Sequence, residues 1–229
     1  MSDEINQQNN LYYKKLIEKY GIESPKAVAS GEKAYKKERF SFLASELNKE
    51  EEKFSILEVG SGTGDFLQFL LNDQSLPEFE YTGLETVPEF LEISKKKFPG
   101  FNFLNLDIST QKIESSFDYV IFGGIFYHKF SFTDEQFFEF FKKLILNATS
   151  ITNKTIIFNM VTQFVEYKKD GLYYPNLNDL VDFITNEVSR FFKIDHSTIL
   201  YEFTISIFKQ IEIENRYSSK EFLKYKKRK

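Results

Sequence analysis

The stretch Ser55-Ile-Leu-Glu-Val-Gly-Ser-Gly-Thr-Gly-Asp-Phe66 limits the fold more than any other part of the chain. A branched apolar run enters a Gly-x-Gly-x-Gly turn and leaves it as Asp65-Phe-Leu-Gln-Phe-Leu-Leu71, whose apolar residues recur at helical spacing. Strand, tight loop and helix follow from that order. Gly60, Gly62 and Gly64 can take backbone angles closed to other residues, so the loop can bend sharply and let a ligand approach the main chain. The helix that follows is expected to aim free backbone N–H groups at that ligand. Such a ligand needs a partner further along the chain, and Glu85 supplies it at the end of Phe79-Glu-Tyr-Thr-Gly-Leu-Glu85. An acidic side chain about 20 residues past the glycines, at a strand end, can accept hydrogen bonds from both hydroxyls of a ribose.

The same alternation of strand and helix patterns continues. Thr86-Val-Pro-Glu89 reads as a capping box with Pro in the first turn, and Lys95, Lys96 and Lys97 fall in the last turn, where the helix dipole favours cations. A third strand over Phe101–Asp107 closes on Asp107, and a fourth, Phe117-Asp-Tyr-Val-Ile-Phe-Gly124, runs into Gly123-Gly-Ile-Phe-Tyr-His128. Thr133-Asp-Glu-Gln136 is a second capping box, and Phe137, Phe140, Phe141, Leu144 and Ile145 mark the core face of its helix. A fifth strand covers Asn153–Val161, and a helix runs from Leu177 to Arg190. Phe191–His196 and Phe203–Phe208 then form an antiparallel hairpin. The connection Thr162–Pro175, with Tyr167, Tyr173 and Tyr174, reads either as a lid over the site or as an ordinary surface loop.

Two helices precede the first strand. One spans Leu11–Tyr20 and stops at Gly21; the other runs from about Glu32 to Leu47, with Phe40, Leu43, Ala44 and Leu47 on one face. They either cap a ligand or simply cover one face of the sheet. The expected division is a helical cap over 1–50, the ligand-binding domain over 51–210 and a basic tail over 211–229, where Lys224, Lys226, Lys227, Arg228 and Lys229 crowd together.

Composition excludes several classes of function. At 229 residues one well-buried core is expected. A net charge of −4 disfavours a surface built to neutralise phosphates, so no nucleic-acid partner is expected. There is no cysteine, hence no disulfide, thiolate metal site or cysteine nucleophile. The polar start, Met1-Ser-Asp-Glu-Ile-Asn-Gln-Gln-Asn-Asn10, has no apolar core of a signal peptide, and no stretch approaches a membrane span; a cytoplasmic protein with no membrane partner is expected. The 27 Phe fall mostly at positions a core would fill.

Glu58-Val-Gly-Ser-Gly-Thr-Gly64, Glu85 and Leu106-Asp-Ile108 resemble the first three motifs of the class I methyltransferases that use S-adenosylmethionine. The resemblance covers roughly residues 53–209. It implies an α/β, Rossmann-like fold: a seven-stranded, mostly parallel sheet with a C-terminal antiparallel hairpin and an N-terminal helical addition. It also implies S-adenosylmethionine as cofactor and S-adenosylhomocysteine as product. By that resemblance, the backbone of Gly60, Ser61, Gly62, Thr63 and Gly64 cradles the methionine portion, with Glu58 and Asp65 near its amino group. Glu85, with Thr86 beside it, holds the ribose, and Asp107 and Ile108 hold the adenine. The methyl acceptor lies at the strand terminus Gly123–His128, where Gly123 and Gly124 leave room for a ligand and also border the cofactor.

His128 is the best-placed general base of the two histidines, with Tyr127 beside it; Tyr12, Tyr13 and Arg39 are weaker pocket candidates, and His196 reads as structural. Gly124-Ile-Phe-Tyr127 stands where family members that methylate DNA bases or glutamine carry Asn/Asp-Pro-Pro-Tyr/Phe, which disfavours those substrates. Asp118 lies at the beginning of its strand, whereas the metal-dependent catechol type needs an acid at the end, so no metal is expected. The implied activity is methyl transfer to an oxygen or nitrogen of a small molecule, on a monomer or homodimer. Overall, including the N-terminal segment through Glu38-Arg-Phe40, the chain resembles bacterial enzymes found among genes for surface carbohydrates and other secondary products, an association only. Two rivals stand beside this reading: a nicotinamide-dependent oxidoreductase, disfavoured by the glycine spacing, and a module that binds the cofactor without transferring methyl.

Overall fold

A computed structural model describes residues 2–22, 24, 26–28 and 32–226. Among them, two helices come first, α1 (Ser2–Tyr20) and α2 (Lys33–Ala44). The sheet then builds in the order β1 (Lys53–Val59), α3 (Asp65–Leu71), β2 (Glu78–Leu84), α4 (Pro88–Lys97), β3 (Asn102–Leu104), β4 (Phe117–Phe122), α5 (Asp134–Ile151) and β5 (Thr152–Val161). It ends with α6 (Leu177–Phe183), β6 (Phe192–Asp195) and β7 (Glu202–Phe208), followed by α7 (Gln210–Arg216) and α8 (Leu223–Lys226). Lys227, Arg228 and Lys229 of the expected basic tail lie outside the described residues, as do Glu23 and Pro25.

Seven strands form one sheet in the order β3-β2-β1-β4-β5-β7-β6. Every pairing is parallel except β5 with β7 and β7 with β6, so the hairpin closes the sheet as its pattern predicts. Residues alternate across β1. Phe54 and Ile56 pack with α2, α3 and α4, while Leu57 and Val59 pack with α5 and α6 on the other face. Burial of both faces explains why the central strands read as near-continuous apolar runs.

Some boundaries differ from expectation, each for a local reason. The first helix begins at Ser2 and not at Leu11, because Ile5 is buried in the core and the surrounding Asn and Gln side chains bond to loops. The Thr86 capping box does not form: its hydroxyl donates to Asn10 Oδ1, and Glu85 Oε1 accepts from the Val87 N–H at 2.7 Å instead. The predicted box at Thr133 forms in both directions. The third strand ends at Leu104, since Asp107 turns the chain by accepting from the N–H of Ser109 at 2.7 Å. After Phe183 the last long helix widens into a π-turn over Ile184–Val188, closed by Ser189 N–H to Ile184 O at 2.8 Å.

Candidate functional site

Strand order reverses between β1 and β4, and the crevice at their carboxyl ends is where open α/β sheets bind ligands. A cavity of about 190 Å³ lies there. Its walls come from the glycine loop after β1, the turns after β2, β3 and β4, and side chains of α1 and α2.

The loop bends through positive φ at Gly60, Gly62 and Gly64. Gly60 and Ser61 both donate their N–H to Leu84 O, at 2.8 and 2.9 Å, which ties the loop to the end of β2. A Cβ at Gly60 would stand 2.4 Å from the Ile125 side chain, whereas at Gly62 nothing lies within 4 Å. Gly62 therefore leaves open the space where a ligand can meet the main chain. Two expectations are corrected here. Gly64 lies outside the cavity wall: its own Cβ position abuts the Phe98 ring at 2.6 Å, so it serves the packing of α3 against α4. The loop also offers a ligand fewer N–H groups than its sequence suggests, because Gly62 donates to Glu85 Oε2 at 2.7 Å and Gly64 to Ser61 O at 2.9 Å.

What the loop presents instead is a wall of carboxylates. Glu58, on β1, is buried and accepts from the Tyr81 hydroxyl; burial foremost pushes its carboxyl up to about 8, with Asp65 and Glu85 adding to the rise and the Tyr81 hydrogen bond opposing it. Asp65 opens α3 and is paired with Lys36 Nζ at 2.6 Å and Lys97 Nζ at 3.6 Å. Burial alone would raise its carboxyl, and Lys36, Lys97 and the Thr63 hydroxyl outweigh that to hold it below its usual value. Glu85 is buried at the end of β2, and although burial raises its carboxyl, the N–H groups of Val87 and Gly62 work against the rise. Thr86 follows it on the cavity wall. Asp107 faces the same space, beside Leu106 and the buried Ile108, with Phe137, Phe140 and Leu144 completing an apolar slot. Acidic groups above a glycine loop and a flat apolar slot suit a ribonucleoside with a positively charged appendage, so the residues present fit the expected cofactor.

The opposite wall is Gly123, Gly124, Tyr127, His128 and Phe130. His128 packs between the Tyr12 and Phe130 rings, with centroids at 4.8 and 5.8 Å, and burial lowers its pKa, which keeps the imidazole neutral. Phe130 adopts φ 54°, a left-handed conformation rare for a bulky residue. Gly171 O accepts from both Lys129 and Phe130 N–H, at 2.8 and 3.2 Å, and fixes that turn. The 162–175 segment thus acts as a buttress: Tyr173 is buried against Phe137, and among the described residues none from this segment lines the cavity. The covering role belongs to α1, with Asn6 donating to Asp107 Oδ2, Asn10 to Thr86 O at 3.3 Å and Gln8 to Ser131 Oγ at 3.0 Å.

Sequence reasoning missed Glu202 and Asn159. Glu202 accepts from Arg39 Nε at 2.9 Å, Arg39 Nη2 at 2.5 Å and the Tyr127 hydroxyl at 2.6 Å. Asn159 donates to Glu202 Oε2 at 2.9 Å and to the Tyr127 hydroxyl, and its Oδ1 accepts from Gly124 N–H at 2.8 Å. One network therefore joins α2, β5, β7 and the turn after β4. The signal was present in the sequence: Asn159 interrupts the apolar run Ile156-Ile-Phe-Asn-Met160.

The fold and site together define a class I methyltransferase architecture. A family described as "Methyltransferase domain" matches residues 57–147. A curated protein of Mycobacterium tuberculosis, named "Putative methyltransferase Rv1506c", is 28% identical over 157 residues, 67% of this chain and 92% of its own. Among solved structures, DhpI in complex with SAH aligns with a TM-score of 0.61 at 16% identity, covering 88% of this chain and 95% of its own. Magnesium protoporphyrin IX methyltransferase of Synechocystis PCC 6803 with bound SAH aligns at 0.54 and 12% identity, covering 74% and 80%. The chain is thus similar to methyltransferases in sequence over its central part and shares the fold of solved structures that bind S-adenosylmethionine or its product.

Proposed function

We propose that this protein moves a methyl group from S-adenosylmethionine to an oxygen or nitrogen of a small molecule and releases S-adenosylhomocysteine. One observation carries the reading: Glu58, Glu85 and Asp107 converge with the glycine loop on a single cavity at the strand-order reversal. When bound, the cofactor supplies a methyl group already attached to a positive sulfur, so the protein needs to orient the acceptor, exclude water and accept a proton.

In this reading Glu58 and Asp65 hold the ammonium end against the Gly60–Thr63 backbone. Glu85 accepts from the ribose, and Asp107 and Ile108 hold the adenine. Gly123 and Gly124 leave room for the acceptor. His128, neutral and without a hydrogen-bond partner among the described residues, receives the acceptor's proton. Tyr127 acts by position, since its hydroxyl already serves Glu202 and Asn159. The acceptor class we favour is a precursor of surface carbohydrates or secondary metabolites. The reading includes a cytoplasmic enzyme, monomeric or homodimeric, with a helical cap over 1–50, a cofactor domain over 51–210 and a basic tail over 211–229.

Calorimetry with S-adenosylmethionine, S-adenosylhomocysteine and NAD tests the cofactor. Binding of the first two without NAD is expected, and binding of NAD alone refutes the reading. Methyl transfer to a panel of sugars, sugar phosphates and amines tests the reaction, and silence across the panel favours a binding module.

A further inference from the structure

We infer that Glu58 gives up a proton to solvent when an ammonium-bearing cofactor enters the cavity, so that binding and deprotonation are one coupled event. This rests on the cofactor reading above and adds a proton to its stoichiometry.

The geometry isolates Glu58. Its side chain is buried at the end of β1, with residue exposure of 4%, and it forms no ion pair among the described residues. The Tyr81 hydroxyl, from β2, donates to Oε2, while Oε1 points past Gly123, 3.7 Å from where a Cβ there would stand. The charged groups nearby are already engaged. Lys36 of α2 and Lys97 of α4 pair with Asp65 of α3, and Arg39 of α2 pairs with Glu202. Glu85, after β2, is held by backbone N–H groups, and Tyr13 of α1 is a neutral phenol lining the same cavity. Glu58 is thus a carboxyl without a cation, beside two carboxylates, in a site shielded from water.

A carboxyl in that setting keeps its proton, because ionising it places an uncompensated charge in a medium that solvates it poorly. The upward displacement to about 8 agrees. An ammonium brought to the carboxyl is the missing cation, and an opposite charge within hydrogen-bonding range lowers a carboxyl by roughly 1–3 units. The balance is neutral acid plus ammonium giving a carboxylate–ammonium pair plus one proton in the solvent. At pH 7, where the ligand's amine is mostly ammonium, roughly 0.4–0.9 proton per site is released; above about pH 8 the release falls and turns to uptake, because the free protein has lost the Glu58 proton and the ligand's amine must gain one.

The experiment is titration calorimetry of the full chain with S-adenosylhomocysteine at pH 7 in buffers of different ionisation enthalpy, whose slope counts protons. We expect roughly 0.4–0.9 proton released with S-adenosylhomocysteine and none with 5′-methylthioadenosine, which lacks the ammonium. Glu58→Gln, which keeps the shape and an acceptor for Tyr81, is expected to bind S-adenosylhomocysteine without releasing a proton. Binding of S-adenosylhomocysteine to the wild type with no proton exchange overturns the inference and leaves the cofactor reading standing. Release that persists in Glu58→Gln also overturns it. Failure of the wild type to bind S-adenosylhomocysteine overturns the cofactor reading and takes the inference with it. Should Glu58→Gln not fold, the contrast between the two wild-type ligands at pH 7 decides.

Discussion

Replacing Glu202 with alanine removes the acceptor shared by Arg39, Tyr127 and Asn159. Four hydrogen bonds end on its two oxygens, and the side chains of Arg39 and Glu202 are only 15% and 13% exposed. Removing one partner of a fully buried pair costs about 3–5 kcal/mol, because a charge is left uncompensated. Water can reach the edge of this pair, so a loss of about 2–3 kcal/mol is expected. For a chain of 229 residues, at roughly 2–4 °C per kcal/mol, the melting temperature falls by about 4–12 °C.

Urea unfolding at pH 7, followed by far-ultraviolet circular dichroism, measures the loss. Pairing it with Arg39→Ala in a double-mutant cycle isolates the coupling, expected at about 1–3 kcal/mol. The pH dependence has a definite sign. Burial by itself raises the Glu202 carboxyl, but hydrogen bonds and charge from Arg39, with Tyr127 and Asn159, hold it below the ordinary 4.5. A carboxyl lowered in the folded state contributes stability above its unfolded value and loses it as pH falls through the folded one. The gap between wild type and Glu202→Gln therefore closes as the pH drops below 4.5. A loss under about 1 kcal/mol for Glu202→Ala, or a cycle that is simply additive, refutes the network argument.

Three further outcomes follow from the site. Gly60→Ala drives a methyl into Ile125 at positive φ and is expected to lose about 2–4 kcal/mol, whereas Gly62→Ala meets open space and loses about 1 kcal/mol while blocking the ligand; equal losses in chemical denaturation would contradict this. Glu85→Ala strands the N–H groups of Gly62 and Val87 and is expected to cost about 2–4 kcal/mol with calorimetric binding of S-adenosylhomocysteine abolished; unchanged affinity would remove Glu85 from the ribose site. Asn6→Ala frees α1 from Asp107 and is expected to speed proteolytic cleavage within residues 2–20 severalfold, with no change in core stability beyond about 1 kcal/mol.

Much of this architecture is written in short-range pattern. The helix Asp65–Leu71 was readable to the residue, because a glycine turn before it and Asn72 after it confine the apolar repeat. The terminal hairpin was readable because Phe203–Phe208 alternates against a buried partner. What escaped local reading depends on distant partners. Residues 2–10 continue the helix with Ile5 as their one buried apolar side chain and Asn and Gln meeting loops around it, so apolar periodicity could not reveal it. Thr86 has the chemistry of a cap, but Asn10 claims its hydroxyl and Glu85 does the capping. Glu202 meets Arg39 across 163 positions, a separation over which no motif reaches.

The way α1 is fastened bears on how anything enters or leaves. Near its start Ile5 is the buried apolar anchor, and Asn6, Gln8 and Asn10 each make a pair of side-chain hydrogen bonds to one of three different turns. Each such link is worth about 1 kcal/mol, and none belongs to the sheet. The protein can thus unlatch its roof for passage while every strand beneath stays paired, and traffic through the site is decoupled from the integrity of the barrel-less, layered body that supports it.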